Sequence, residues 1–248
     1  MRPSAEVALR LLSLLGFASF ALASLWVGGR LLRLALHTRQ APEAAVGTSL
    51  FCGGGLGYLF AIGSRMQLLP ADWAGDVRLA GAAFIHLGSA ALAVGCWRIF
   101  RPGEGWARTL CLAIVAALAT SFALRLSDPP GAGVSSPLHF WPMQALGAAT
   151  FGWCALESTR YTALLRRRAR LGLAEPAMVE RFALWAGSAS CAVGVHLCIM
   201  ANRFTDPTVV QPALVIGSSA LGFVTAATVW LAFFPPAWWR SRAVLRPS

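Results

Sequence analysis

The chain has 248 residues, of which 57% are hydrophobic and only 12% charged, and its mean hydropathy is +0.62. Soluble domains carry about twice that share of charge, so the composition excludes an ordinary soluble domain and predicts an all-α, polytopic membrane protein. All 21 basic residues are arginine. Without lysine the chain cannot form a Schiff base, which excludes retinal and other carbonyl cofactors bound in that way.

Long uncharged runs recur along the whole chain, and cutting them at charges and prolines predicts a bundle of seven transmembrane helices. These spans cover residues 8–30, 44–66, 77–98, 107–126, 138–158, 179–202 and 209–234. They form a single predicted transmembrane domain over residues 1–240, followed by a short cytoplasmic tail over residues 241–248. In the second span, Gly53 and Gly57 have the GxxxG spacing that permits close contact between helices.

The placement of the arginines predicts the orientation of the bundle. With seven spans and an outer amino terminus, fifteen of the 21 arginines fall in inner segments. Because cytoplasmic loops carry the excess of basic residues, we expect the amino terminus outside and the carboxyl terminus inside, in the cell's inner (plasma) membrane. The formal charge of +11 then reflects topology and contact with lipid, and we expect no nucleic-acid partner.

The inner loop over residues 160–181 is the most basic segment. Its four clustered arginines are expected to contact anionic lipid headgroups, and they are Arg166, Arg167, Arg168 and Arg170. A cytoplasmic or membrane partner protein is the alternative occupant of this loop. Just before it, Glu157 is expected to form a surface ion pair with Arg160.

Three predicted spans end in arginine on the outer side, namely those ending at Arg65, Arg125 and Arg203. Two of these arginines begin the same pattern, Arg-Φ-Ser/Thr-Asp-Pro, at 125–129 and 203–207. In that pattern Asp128 and Asp206 are placed to cap the segments that follow. The repeat therefore has two interpretations: turns flanked by arginines that reach headgroups, or guanidinium groups arranged around an outward-facing cavity.

Three of the four histidines belong to the outer half of the predicted bundle. His86 and His196 lie about 12 Å and 10 Å below the outer ends of their spans, and His139 lies at the mouth of the fifth. Because an imidazole inside a span is costly, a functional role competes with hydrogen bonding between helices. We therefore predict a receptor-like or sensor-like protein that binds a small, anionic ligand and signals through loop 160–181. The predicted ligand-binding residues are His86, His196, Arg65, Arg125, Arg203, Tyr58 and His139.

Two alternatives use the same histidines as metal ligands. In the first, His86 and His196 are axial ligands of haem b in an electron-transfer protein, with Met143 and Met200 as alternative sulfur ligands. In the second, His86, His139 and His196 hold zinc in an intramembrane hydrolase. The chain has no HxxxH pair, the spacing typical of zinc sites in membrane hydrolases. A non-enzymatic function is therefore the first expectation, and the cofactor stays open.

Overall fold

Helices make up nearly all of the computed structural model, which describes residues 3–65, 70–127, 136–205 and 211–236. Within those ranges there is no β-strand, so the predicted all-α class is confirmed. The helices are α1 (Pro3–Thr38), α2 (Ala41–Thr48), the π-helix π1 (Ser49–Gly57), α3 (Tyr58–Arg65), α4 (Ala71–Phe100), α5 (Gly105–Leu126), α6 (Pro137–Arg170), α7 (Pro176–Thr205) and α8 (Pro212–Phe233). Because α2, π1 and α3 continue into one another, the described residues form seven helical rods.

Two rods run well past their predicted ends, since arginine-rich sequence stays helical beyond the apolar run. The first continues to Thr38, where Arg39 takes a left-handed conformation with φ of 55°. The sixth α-helix continues to Arg170 and ends at Gly172, which has φ of 70°. There the N–H of Leu173 donates to the carbonyl of Arg168 at 2.9 Å, as in a Schellman motif. Glycine adopts this conformation without strain, which explains where the helix stops.

Six of the rods are long and apolar enough to cross a membrane, which indicates a multi-pass membrane protein. The exception is α6, whose sequence is the most polar. Its polar side chains turn inward, where they are buried by the other helices, as His139, Gln144, Thr150, Glu157, Ser158 and Thr162 show. The helix that departs most from an apolar span is therefore the one that supplies the polar interior.

The second rod approaches α4 very closely because glycine faces glycine. A Cβ built on Gly53 would lie 3.1 Å from Cα of Gly88, and one built on Gly88 would lie 2.5 Å from the backbone nitrogen of Gly53. Likewise, a Cβ on Gly57 would lie 2.6 Å from Cγ1 of Ile85. The close packing predicted from the Gly53/Gly57 spacing is thus confirmed, and its partner is α4 of the same chain.

Six of the rods form a closed ring. Going round it, α1 contacts the α2–π1–α3 rod, which contacts α4, then α6, α7 and α8, and α8 returns to α1. The remaining helix, α5, packs outside the ring against α4 and α6. We call the end of the bundle at which α1 begins the outer end, and the opposite end the inner end.

The densest core lies in the inner half, between α4, α5, α6 and α7. It includes Leu92, Cys96, Cys111, Trp153, Cys154 and Ala189. All six cysteines of the chain are free, as expected for thiols that pack as small apolar residues. Two cavities lie on the outer side of this core.

Several predictions concern residues outside the described ranges. They are the capping roles of Asp128 and Asp206 and the tail over residues 241–248. The side chain of Arg65, the last residue of α3, also lies outside the description. The division of the chain into one transmembrane domain and a tail stays a prediction, as do the seven-span count and the outer amino terminus.

Candidate functional site

Two adjoining cavities lie inside the outer half of the ring. The outer one, here called the vestibule, has a volume of about 430 Å³ and receives side chains from α1 and from α3 to α8. The deeper one, here called the chamber, has a volume of about 180 Å³ and includes π1 in its wall. They share Ser13, Phe17, Ala61, Ile85, Met143 and Ile199. Because they share these lining residues, the two cavities are neighbours.

Three arginines from three helices line the vestibule: Arg78 from α4, Arg125 from α5 and Arg203 from α7. The Nε–H of Arg78 donates to the carbonyl of Ala74 at 3.3 Å. The guanidinium of Arg203 lies 5.3 Å from the centre of the Phe140 ring, in cation–π geometry. Of the three arginines predicted to surround an outer cavity, Arg125 and Arg203 line the vestibule and the side chain of Arg65 lies outside the described residues; their role in ligand binding stays a prediction.

Arg78 is a site residue that the sequence reasoning did not select. It lies near the outer start of the third predicted span and precedes His86 on the same helix by about 12 Å. Their spacing of about two helical turns places Arg78 and His86 on one face of the helix. This spacing is the feature of the sequence that could have identified Arg78 as a site residue. His139 also lines the vestibule and is almost fully buried.

The chamber contains both histidines that were predicted from matching depth, His86 and His196, together with Tyr58. The ring of Tyr58 packs against two aromatic side chains of α1, with ring centres 5.9 Å from Phe17 and 5.4 Å from Phe20. The two histidines approach the chamber from α4 and α7. They are therefore brought to one space without being hydrogen-bonded to each other.

Ser121 of α5 joins His86 to His139. The Nδ1–H of His86 donates to the carbonyl of Ala82 at 2.7 Å, which leaves Nε2 of the neutral ring to accept from the Ser121 hydroxyl at 3.3 Å. His139 donates from Nδ1 to the carbonyl of Ser121 at 3.1 Å. The His86 and His139 rings stack with centres 5.7 Å apart. Both ring nitrogens of His86 are thus engaged, Nδ1 within α4 and Nε2 in a contact with α5.

His196 forms a pair with Gln144 of α6. The Nδ1–H of His196 donates to Oε1 of Gln144 at 2.7 Å, and both side chains are buried. Gly147, one turn further along α6, makes room for the ring, since a Cβ there would lie 2.5 Å from Cε1 of His196. The sequence reasoning missed Gln144, although it is the only carboxamide in the predicted span 138–158.

The geometry favours neither metal-binding alternative. A haem iron would need a free ring nitrogen from His86, and both are occupied. A zinc site needs at least three protein ligands. Across the described ranges, no group of three or more His, Cys, Asp and Glu side chains is arranged to hold a metal ion.

Towards the inner end, α6 carries a buried ion pair that links it to the end of α4. Oε2 of Glu157 accepts from Nε of Arg101 at 3.0 Å, and Oε1 accepts from Arg160 at 3.3 Å. The Glu157 side chain is only 3% exposed. The predicted pairing with Arg160 is present, but its predicted surface position is wrong, because α4 and its C-terminal residue cover the carboxylate.

No known protein family, curated protein or solved structure matches this chain. The functional argument therefore depends on the two cavities and their lining residues.

Proposed function

We propose that this integral membrane protein binds a small anionic ligand in the outward-facing vestibule and signals to a partner through the basic inner loop over residues 160–181. The observation that carries the proposal is the convergence of Arg78, Arg125 and Arg203 on one cavity. Each guanidinium has five N–H donors in a planar fork, so it can hold a carboxylate or phosphate while keeping other contacts.

The orientation that the proposal requires is supported by charge. Seven spans with the amino terminus outside place fifteen of 21 arginines at the inner end, in agreement with the positive-inside rule. In this arrangement α6 is the fifth span, and the ring shields its polar side chains from lipid. The positive-inside rule does not explain the arginines at the outer end, whereas binding of an anionic ligand would explain them.

The route for a signal is α6 itself. One continuous helix carries His139 and Gln144 beside the two cavities and Arg166, Arg167, Arg168 and Arg170 at its inner end. Pro142 within the helix interrupts its hydrogen bonding near the cavities, where a small change in bend is easiest. A ligand that prefers one bend would shift the population of conformations and so move the basic end.

The test is ligand-dependent stabilisation of purified protein by a panel of small carboxylates and phosphates. At a concentration of about 100 Kd, a bound ligand adds about 2.7 kcal/mol to the free energy of unfolding and raises Tm by several degrees. Arg203→Gln is expected to lose this effect. Arg167→Gln removes the same charge at an exposed inner position and is expected to keep it. A panel without any stabilising anion would overturn the proposal.

The alternatives make different predictions from the same preparation. A haem-binding electron-transfer protein purified from haem-replete cells would show a Soret band, and a zinc hydrolase would contain stoichiometric zinc. Because both ring nitrogens of His86 are engaged in hydrogen bonds, we expect neither signal.

A further inference from the structure

The two histidines of the chamber already have hydrogen-bond partners. His86 uses one ring nitrogen within α4 and the other towards α5, and His196 pairs with Gln144. Much of the remaining wall is apolar and includes Leu14, Phe17, Ile62, Ile85, Met143 and Ile199. A charge would lose its hydration in such a space with little in return, whereas an apolar group gains from burial.

The vestibule has the opposite chemistry, because Arg78, Arg125 and Arg203 line it and no arginine lines the described wall of the chamber. A ligand that fills both compartments therefore has an anionic head and an apolar body. We propose that the ligand is an aliphatic carboxylate, with its carboxylate among the vestibule arginines and its alkyl chain in the chamber. This inference rests on the proposed anion site and adds the chemical class of the ligand.

The depth of the vestibule in the bundle favours a carboxylate over a phosphate as the head of the ligand. The vestibule lies within the helical part of the bundle, where a singly charged head loses less hydration than a dianion. A bidentate carboxylate–guanidinium pair also satisfies both oxygens in one plane.

The floor of the chamber limits the length of the chain. Phe20, Ser49, Gly54 and Phe151 separate the chamber from a third cavity of about 50 Å³ on its inner side. Phe151 is held by the His196 ring, with ring centres 5.8 Å apart. Along α6, Phe151 lies about 18 Å below His139 of the vestibule. The floor of the chamber therefore fixes the depth available to the alkyl chain, and the third cavity lies beyond this floor.

The experiment is titration calorimetry of the full chain in lipid nanodiscs with sodium acetate, butanoate, hexanoate, octanoate and decanoate, and with empty nanodiscs as the blank. Each methylene buried in the chamber is expected to raise affinity about fourfold, the equivalent of about 0.8 kcal/mol per CH₂. Beyond the length that reaches the floor, affinity stops rising. Hexanol and hexylamine are expected to bind at least tenfold more weakly than hexanoate.

Two variants move the floor in opposite directions. Phe151→Ala joins the chamber to the third cavity, so affinity is expected to keep rising to longer acids than in the wild type. Ser89→Leu places a larger side chain in the chamber wall, so the limit is expected at a shorter acid. Phe223→Ala removes the same aromatic ring from an exposed position on α8 and is expected to leave the limit unchanged.

The outcomes separate this inference from the proposed function. If all acids from acetate to decanoate bind equally, or if both variants keep the wild-type limit, the chamber does not hold the chain and the inference is overturned, while the anion site stands. If hexyl phosphate binds more tightly than hexanoate, the carboxylate assignment is overturned. Failure of every anion to bind overturns both proposals.

Discussion

At the scale of single residues, the site depends on how closely α6 and α7 approach. The His196 ring lies directly over Gly147, and the absent side chain of that glycine is what lets the ring reach Gln144. The imidazole thus occupies the space that the side chain of any other residue at position 147 would fill. This makes Gly147 a positioning residue for the wall of the chamber.

Gly147→Ala is therefore expected to displace the imidazole, because the new Cβ would lie 2.5 Å from Cε1 and 2.8 Å from Nε2. Overpacking of this kind costs about 1–3 kcal/mol, and we expect a lower Tm together with weaker ligand binding. Gly152→Ala is the matched control on the same helix, where a Cβ would meet nothing within 4 Å. Equal behaviour of the two variants would contradict the assigned role.

Glu157 is the other residue whose burial has a measurable consequence. Glu157→Gln keeps the shape of the side chain but removes the charge that pairs with Arg101 and Arg160. Since those arginines are 32% and 57% exposed, water can solvate them, and we expect a loss of about 1–2 kcal/mol rather than the larger cost of a fully buried pair. Thermal denaturation measures the loss, and the exposed Glu175→Gln is the control. An unchanged Tm would mean that the pair does not link α4 to α6.

Residue types and spacing predicted part of this site. An imidazole inside an apolar run is conspicuous, so His86 and His196 were found, and matching depth indicated a common space. Their partners were not found, because which residues face one another across helices depends on rotation of the helices about their axes. Without knowledge of that rotation, nothing in the sequence marks Gln144 or Ser121 as the partner of a histidine.

At the scale of elements, π1 is the unusual feature. A π-helix is rare and often marks a functional site, and here Ser49, Gly53 and Gly54 of π1 line the chamber. The contact between Gly53 and Gly88 fixes how near π1 lies to α4. The wall of the chamber on this side is therefore set by two residues that lack side chains.

Gly88→Ala is expected to push π1 away from α4, because the added Cβ would collide with the backbone of Gly53. Backbone cannot move aside as a flexible side chain can, so we expect a loss of at least about 2 kcal/mol and a visibly lower Tm. Gly75→Ala, on the same helix, places its Cβ where nothing lies within 4 Å and is expected to be neutral. A stable Gly88→Ala protein would show that the two helices can separate freely.

Six of the seven rods could be predicted from hydropathy, because their apolar runs are long and their ends are marked by charge or proline. The π-helix could not, because the apolar sequence of residues 49–57 suits an α-helix equally well. The helix α6 is more polar, and it continues past the predicted span 138–158 to Arg170, where Gly172 ends it.

At the scale of the whole molecule, the ring of six rods with α5 outside determines where cavities can form. The backbones of helices that are not neighbours in the ring stay apart, although aromatic side chains reach between α4 and α7 at the inner end, where the rings of Phe100 and Phe182 have centres 6.0 Å apart. The space between them is filled at the inner end by the core and left open towards the outer end.

Topology is the prediction that belongs to this scale. A reporter enzyme active only outside the cytoplasm, fused after Gly103 or Gly172, is expected to be inactive, since both connections lie at the inner end. Fused after residue 130, in the connection between α5 and α6, it is expected to be active. The reverse pattern of activity would show that the bundle has the opposite orientation, with the vestibule arginines towards the cytoplasm.

The contact between α1 and α8 has a consequence for biosynthesis. Gly16 of α1 lies against the backbone of Ser219, so α1 has as its neighbour a helix that is synthesised much later. About 10–35 s of translation separate the two at ordinary elongation rates. Until α8 is inserted, the ring of helices is incomplete, and lipid or an insertion factor must cover the face of α1 that α8 will contact. The vestibule, which α8 helps to line, is complete only once α8 has been inserted.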